Sequence, residues 1–263
     1  MPIRLRAGAV SDVGAYRATN QDAAFTAPWG AAVADGVGGG PSGDLASSAI
    51  LRRFAAGAVG IPDETALLER IRVANWDLLA HVRRDPSLLG MATTLTGVFV
   101  SAAGTLLVAH AGDSRAYLLR DGALTRETRD DSYVQVLVDY GLLAPEEAAI
   151  HPRRNIITAS LGGAESDLVS VRERDARPGD RWLLCSDGVT DYIPEADLGA
   201  LLAGARSPLS AADAIVRLAL DAGSRDNATA VVCDVEDARG EADLRPVFHG
   251  SASTRFREEL ESA

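Results

Sequence analysis

Three apolar runs of this chain end on an aspartate: Ala32-Val-Ala-Asp35, Val108-Ala-His-Ala-Gly-Asp113 and Trp182-Leu-Leu-Cys-Ser-Asp187. Asp226 does the reverse and precedes the apolar run that starts at Ala228. Runs of this kind read as strands. Strands pack side by side, so their ends share an edge where such carboxylates can converge. Desolvated carboxylates repel one another by several kcal/mol, so a cluster of them calls for a cation. A ligand set made only of oxygen favours Mg²⁺ or Mn²⁺ over zinc. At each single position a turn competes with the ligand reading, because Asp-Gly is also a turn dipeptide. That competing reading is the stronger one at Asp121-Gly122, which has strand pattern on both sides and is expected to close a hairpin. Asp35-Gly36 precedes a Gly-rich loop and a helix, and Asp187-Gly188 precedes Val-Thr-Asp191, so neither pair has the context of a two-residue hairpin.

The chain is long enough for one large domain, at 263 residues, and 47% of them are hydrophobic, enough for a substantial core. Its formal net charge of −11 argues against nucleic acid and against anionic lipid as partners. No apolar stretch has the length of a membrane span, and no long apolar core follows the arginines of the first ten residues as a secretory signal would require. Cys185 and Cys233 lie inside apolar runs and are expected to be reduced core residues, which fits a cytoplasmic protein.

Along the chain, a Gly-rich loop over 36–43 leads into a helix expected from Asp44 to about Ala58. A second helix is expected from Pro62-Asp63-Glu64 to about Arg84. Strands are expected at Thr93–Val100, Thr105–Ala111, Ser114–Arg120 and Ala123–Thr128. The stretch 129–164 breaks the rhythm, with helical pieces at Tyr133–Tyr140 and from Pro145. Strands at Asp167–Arg172 and Arg181–Ser186, helices at Glu195–Ala203 and Ser210–Ala222, and a strand at Ala228–Val235 complete the core pattern. From Glu236 onward the chain reads as a tail or linker stub, which leaves 1–236 as the folded domain. Hairpin-connected strands with helices grouped before and after them indicate an α+β layered fold.

The motifs Arg17-Ala-Thr-Asn-Gln-Asp22, Ala34-Asp35-Gly36-Val-Gly-Gly39, Thr93-Thr94-Leu-Thr, Gly112-Asp113-Ser-Arg115, Cys185-Ser-Asp187-Gly188 and Arg225-Asp226-Asn227 occur in one order. Together they resemble the bacterial branch of the metal-dependent PPM phosphatases, the type 2C Ser/Thr phosphatases, from about Leu5 to Val235. The resemblance implies a four-layer α-β-β-α sandwich: two antiparallel sheets flanked by helix pairs, with a cleft at one edge. It implies two Mn²⁺ or Mg²⁺ ions, bridged by Asp35, with the carbonyl of Gly36, Asp187 and Asp226 completing the site. Asp22 would orient metal-bound water and Arg17 would grip the substrate phosphate. Asp113 and Asp191 match a third, weaker metal position, and residues 129–164 match the flap beside the cleft.

The implied reaction is hydrolysis of phosphoserine or phosphothreonine in proteins. A hydroxide held between two cations about 3.5–4 Å apart attacks phosphorus in line. The partners implied are phosphorylated proteins, among them a Ser/Thr kinase and its substrates, and a monomer is expected. The chain departs from the family pattern at Gln21, which stands where relatives have Glu, at Gly40, where a His often follows the two glycines, and at Met91-Ala92, which replace the more usual Gly before the Thr pair. Val37 replaces the His that follows Asp-Gly in many eukaryotic relatives, leaving the proton donor to the leaving group unassigned. His110 is expected to be a packed, hydrogen-bonded residue. Two other functions compete with catalysis on phosphoproteins: a pseudophosphatase that only binds them, and a hydrolase of small phosphate esters.

Overall fold

The computed structural model describes residues 2–37, 42–57, 60–240 and 242–254. The N-terminal part runs β1 (Ile3–Asp12), β2 (Asp22–Ala27), β3 (Gly30–Val37), α1 (Gly43–Ala55) and α2 (Glu64–Arg84). A meander follows: β4 (Ala92–Thr93), β5 (Leu95–Val100), β6 (Leu106–Ala111), β7 (Arg115–Arg120) and β8 (Ala123–Arg126). Two short helices, α3 (Tyr133–Asp139) and α4 (Pro145–Ala148), occupy the irregular stretch. The chain then forms β9 (Ser170–Arg174), β10 (Arg181–Cys185), α5 (Asp187–Thr190), α6 (Glu195–Gly204), α7 (Pro208–Asp221), β11 (Ala228–Asp237) and β12 (Val247–Gly250).

Local chemistry sets many of these boundaries. The carboxylate of Asp63 accepts from Ala66 N and caps α2. The hydroxyl of Ser207 accepts from Ser210 N and starts α7 two residues earlier than its apolar periodicity suggests. Asp121 and Gly122 have φ of 52° and 79°, as the expected two-residue hairpin requires. Two expectations shift. The run read as one strand from Thr93 breaks at Thr94, whose hydroxyl accepts from Asp35 N at 2.9 Å and turns the chain toward β3. The strand expected at Asp167 begins at Ser170 instead, because the Asp167 carboxylate accepts from Gly162 N and Ala164 N and organises a loop. Gly38–Pro41 of the Gly-rich loop, with Gly40, and the expected end of the first helix at Ala58 lie outside the described residues.

Among the described residues the strands form two antiparallel sheets. One has the order β1-β11-β10-β7-β8 and the other β12-β2-β3-β5-β6-β9, with β4 attached to β3. Three cores follow. Val33, Val98, Trp182 and Val231 pack between the sheets. Ile50, Phe54, Leu67 and Leu78 seal α1 and α2 onto the outer face of the second sheet. Leu198, Leu202, Ile215 and Val216 seal α6 and α7 onto the first. This is the expected four-layer α-β-β-α sandwich. Runs such as Ala31–Ala34 are apolar throughout because layers cover both of their faces.

The segment after Glu236 departs from the tail expected there. β11 continues to Asp237, and Val247–Gly250 adds β12 to the sheet edge beside β2. Arginines and a proline around it mask an edge strand, whose outer face needs no apolar residue. Phe248 nevertheless joins the aromatic cluster of Phe25, 6.4 Å away between ring centroids. Phe25 also stacks at 5.4 Å on Trp29 and 5.9 Å on Phe54. Phe25→Ala is expected to cost about 3–5 kcal/mol in chemical denaturation.

Candidate active site

The sandwich delivers the aspartates to one edge. Asp22 opens β2 and lies directly opposite Asp35 on β3. Asp113 follows β6, Asp187 follows β10, and Asp226 precedes β11, the strand paired to β10. A cavity of about 410 Å³ at this edge is lined by Arg17, Asp35, Gly36, Asp113, Asp187 and Asp226. Asp22 is 1% exposed and stands behind them.

The electrostatics of the edge are those of a self-repelling cluster. Burial pushes the Asp22 carboxyl up to about 6, partly offset by hydrogen bonds from Ser186 and Thr229. Burial, then repulsion from Asp130, pushes Asp113 up to about 7. Asp35 is driven well above the usual carboxylate range by burial and then by Asp22, Asp187, Asp113 and Asp226. Asp187 is driven up in the same way by burial and then by Asp113 and Asp191.

Residues with no expected role hold the cluster in place. The Ser186 hydroxyl donates to Asp22 Oδ2 at 2.7 Å. Asn227 Oδ1 accepts from Gln21 N at 2.8 Å, and its amide donates to the carbonyls of Val13 and Thr19, which pins the loop that carries Arg17. The Thr94 hydroxyl bonds Ser114 Oγ at 2.8 Å. Asn227 and Thr94 sit inside the quoted motifs, so the signal for them was present. Ser186 sits inside the quoted motif Cys185-Ser-Asp187-Gly188 as well, where it was given no role. His110 is the structural residue expected: Thr96 Oγ1 and the Arg129 carbonyl lie 2.9 Å from its two ring nitrogens.

Two glycines are required by close approach. A Cβ on Gly36 would lie 2.3 Å from the Gly43 carbonyl oxygen, and one on Gly188 would lie 1.9 Å from that of Asn227. Each glycine directly follows an aspartate of the cluster.

Arginines reach into the same edge. Arg17 donates to Asp226 Oδ2 at 2.6 Å, and Arg154 lies 2.9 Å from Asp191. Among the described residues no three carboxylates close on a common point. The donor set still fits hard divalent cations. It consists of carboxylates and a main-chain carbonyl, and Oδ1 of Asp22 and Oδ1 of Asp187 are buried without a hydrogen-bond partner. Orphaned buried oxygens of this kind are costly unless something binds them.

A pH dependence follows. The raised groups bind protons more tightly folded than unfolded, so their stabilising contribution is complete below the ordinary value of 3.8 and is lost as pH rises through about 6 to 7. In EDTA, the melting temperature is expected to rise as pH is lowered from about 8 to about 5.5. Saturating Mn²⁺ should flatten that slope, because the cation takes over the role of the proton. Differential scanning fluorimetry across pH, with and without metal, measures both.

Comparisons with known proteins identify the family. The family model for protein phosphatase 2C matches residues 16–220. The serine/threonine protein phosphatase PstP of Mycobacterium tuberculosis is 41% identical over 254 residues, covering 95% of this chain. The chain spans about half of that relative, 48% of its length. The serine/threonine phosphatase stp of Listeria innocua is 32% identical over 209 residues, which cover 77% of this chain and 82% of that protein. Among solved structures, the catalytic domain of PstP in complex with two manganese ions superposes with a TM-score of 0.80 at 39% identity, covering 89% of this chain and all of that one. With the six motifs in order on the expected sandwich, the chain belongs to the protein phosphatase 2C family.

Proposed function

We propose that this chain hydrolyses phosphoserine and phosphothreonine in proteins with two divalent cations, Mn²⁺ or Mg²⁺. The observation that carries the reading is the convergence of Asp22, Asp35, Asp113, Asp187 and Asp226 on one sheet edge, with two buried carboxylate oxygens unpartnered. Asp35, the Gly36 carbonyl, Asp187 and Asp226 would hold the two cations, and Asp113 and Asp191 a weaker third. The manganese pair in the PstP catalytic domain supports the metal assignment. When bound, such cations neutralise the cluster, polarise phosphoryl oxygens and make water nucleophilic near neutral pH.

The chain's own groups do the rest. The side chain of Arg17 is 41% exposed, so its guanidinium can leave Asp226 for a phosphate that it grips through two N–H donors. Asp22 Oδ1 is buried without a hydrogen-bond partner, which leaves it an acceptor for a water ordered at the site, while Ser186 holds Oδ2. Lysine cannot reproduce the two-point grip, so Arg17→Lys is expected to lower kcat/KM by roughly 10- to 100-fold, read in steady-state kinetics on a phosphopeptide.

The partners expected are phosphorylated proteins, including a Ser/Thr kinase and its substrates, with the chain acting as a monomer in the cytoplasm. The two buried cysteines are free thiols on adjacent strands, consistent with a reducing compartment. Among the described residues, no helix is long and apolar enough to cross a membrane.

The test is phosphate release from a phosphothreonine peptide in Mn²⁺, with and without EDTA. Metal-dependent turnover is expected. A folded protein that is inert in both Mn²⁺ and Mg²⁺ would point to a phosphoprotein-binding module. Preference for a nucleotide over the peptide would point to a small-ester hydrolase.

A further inference from the structure

Asp22 opens β2, which has β3 on one side and β12 on the other. Among the described residues, β12 alone keeps β2 from being an edge strand with one row of main-chain groups unpaired. The pairing runs from Val247 opposite Thr26 to Gly250 opposite Ala23, so β12 ends beside Asp22.

The contacts continue past the end of the strand. Gly250 has a φ of 61° and packs on the main chain of Asp22. A Cβ on it would lie 2.3 Å from the Asp22 carbonyl oxygen and 2.8 Å from Ser11 Oγ. Ser11 belongs to the same support. Its hydroxyl accepts from the Asn20 amide at 2.8 Å, and Asn20 Oδ1 accepts from Asp22 N at 3.0 Å. Residues 251–254 make one helical turn, in which the Thr254 hydroxyl donates to the Gly250 carbonyl at 3.0 Å. Ser251 is buried in that turn, 3.0 Å from Ser47 Oγ. Ser47 gives its one proton to the Gln21 carbonyl at 2.5 Å, so it accepts from Ser251. Arg52 of α1 donates to the Ala252 carbonyl and lies 4.8 Å over the Phe248 ring, which ties the turn to the helix layer. The main chain of Gln21 and Asp22 is therefore held from behind by a segment that has no carboxylate in the cluster.

We propose that residues 247–254 are a positioning element of the active site. Gly250 and Ser251 fix the main chain of Asp22, and through it the place of the carboxylate that orders water. This rests on the phosphatase reading and deepens it, by giving the reaction a dependence on the segment that follows β11.

The experiment measures hydrolysis of a phosphothreonine peptide in Mn²⁺ by the full chain and its variants. Gly250→Ala should lower kcat about ten-fold, because a catalytic group displaced by about 1 Å loses that much or more. KM and inhibition by inorganic phosphate should stay within about two-fold, since Arg17 is untouched. Gly240→Ala is the control: its φ of 72° brings similar backbone strain to the same segment, but its Cβ meets nothing within 4 Å, and kcat should hold. Ser251→Ala removes one hydroxyl and strains no backbone, and should lower kcat about three-fold. In an Asp22→Asn background, with no carboxylate to misplace, Gly250→Ala should change kcat by less than about two-fold, whereas a loss of folded protein would lower it equally in both backgrounds. An active wild type whose Gly250→Ala and Ser251→Ala variants keep its kcat, or equal falls in the two backgrounds, overturns the positioning role and leaves the phosphatase reading standing. A wild type inert on the peptide overturns the two together.

Discussion

Asp187→Ala is expected to lower phosphopeptide turnover by roughly 10³-fold or more, because on the proposed reading it removes a metal ligand and with it several kcal/mol of transition-state stabilisation at 1.36 kcal/mol per decade. The same substitution should act on stability with opposite signs in two conditions. Asp187 is raised by burial and by repulsion from Asp113, Asp191, Asp226 and Asp22, and its Oδ1 is buried without a partner. Taking it away relieves both costs, so the variant in EDTA should melt higher than the wild type. In Mn²⁺ the order should reverse, since a protein that binds cations gains stability by mass action and the variant has lost a ligand. A residue held only for packing would lower stability in both conditions. Activity assays and paired melting curves therefore separate a ligand from a structural carboxylate.

Among the described glycines, Gly188→Ala is expected to be the most damaging addition of a single methyl. The added Cβ would lie 1.9 Å from the carbonyl oxygen of Asn227, and that contact is backbone on both sides. The position is also tied from behind, where the Ser224 hydroxyl donates to the Gly188 carbonyl at 2.9 Å. Relief therefore requires β11 and α5 to separate, at a cost of about 3 kcal/mol or more. For a domain of this size that is a fall of roughly 6–12 °C in melting temperature. Asp187 and Asp226 sit on the two segments forced apart, so whatever protein remains folded should also be impaired in catalysis. Gly204→Ala is the control, because a Cβ there meets nothing within 4 Å.

The sandwich and its site were legible in the sequence to different depths. Apolar runs ending in aspartate placed Asp35, Asp113 and Asp187 at strand ends, and the register of Asp22 opposite Asp35 shows why those ends coincide. The Asp121-Gly122 hairpin was legible because a two-residue turn has few solutions. What escaped was set by partners distant in sequence. The break at Thr94 is made by a hydrogen bond to Asp35, 59 residues away, and no local pattern encodes that. The late start of β9 follows from the choice of the Asp167 carboxylate to cap a loop. The edge strand Val247–Gly250 was unreadable for a different reason. It pairs on one side only and exposes Val247, so it lacks the apolar run that marks buried strands. Within the site, Ser186 and Asn227 stood inside the quoted motifs, but their supporting roles were not legible, because they act through hydrogen bonds whose partners only the fold brings near.

On the proposed reading, this sheet edge gathers its aspartates to hold divalent cations. Anomalous diffraction from crystals grown in Mn²⁺ tests it most directly. Two strong manganese peaks are expected in the cleft, in contact with Asp35, Asp187, Asp226 and the Gly36 carbonyl, with Arg17 turned away from Asp226. A cleft without manganese in crystals that contain the ion, or peaks on carboxylates elsewhere with Arg17 still on Asp226, would contradict it.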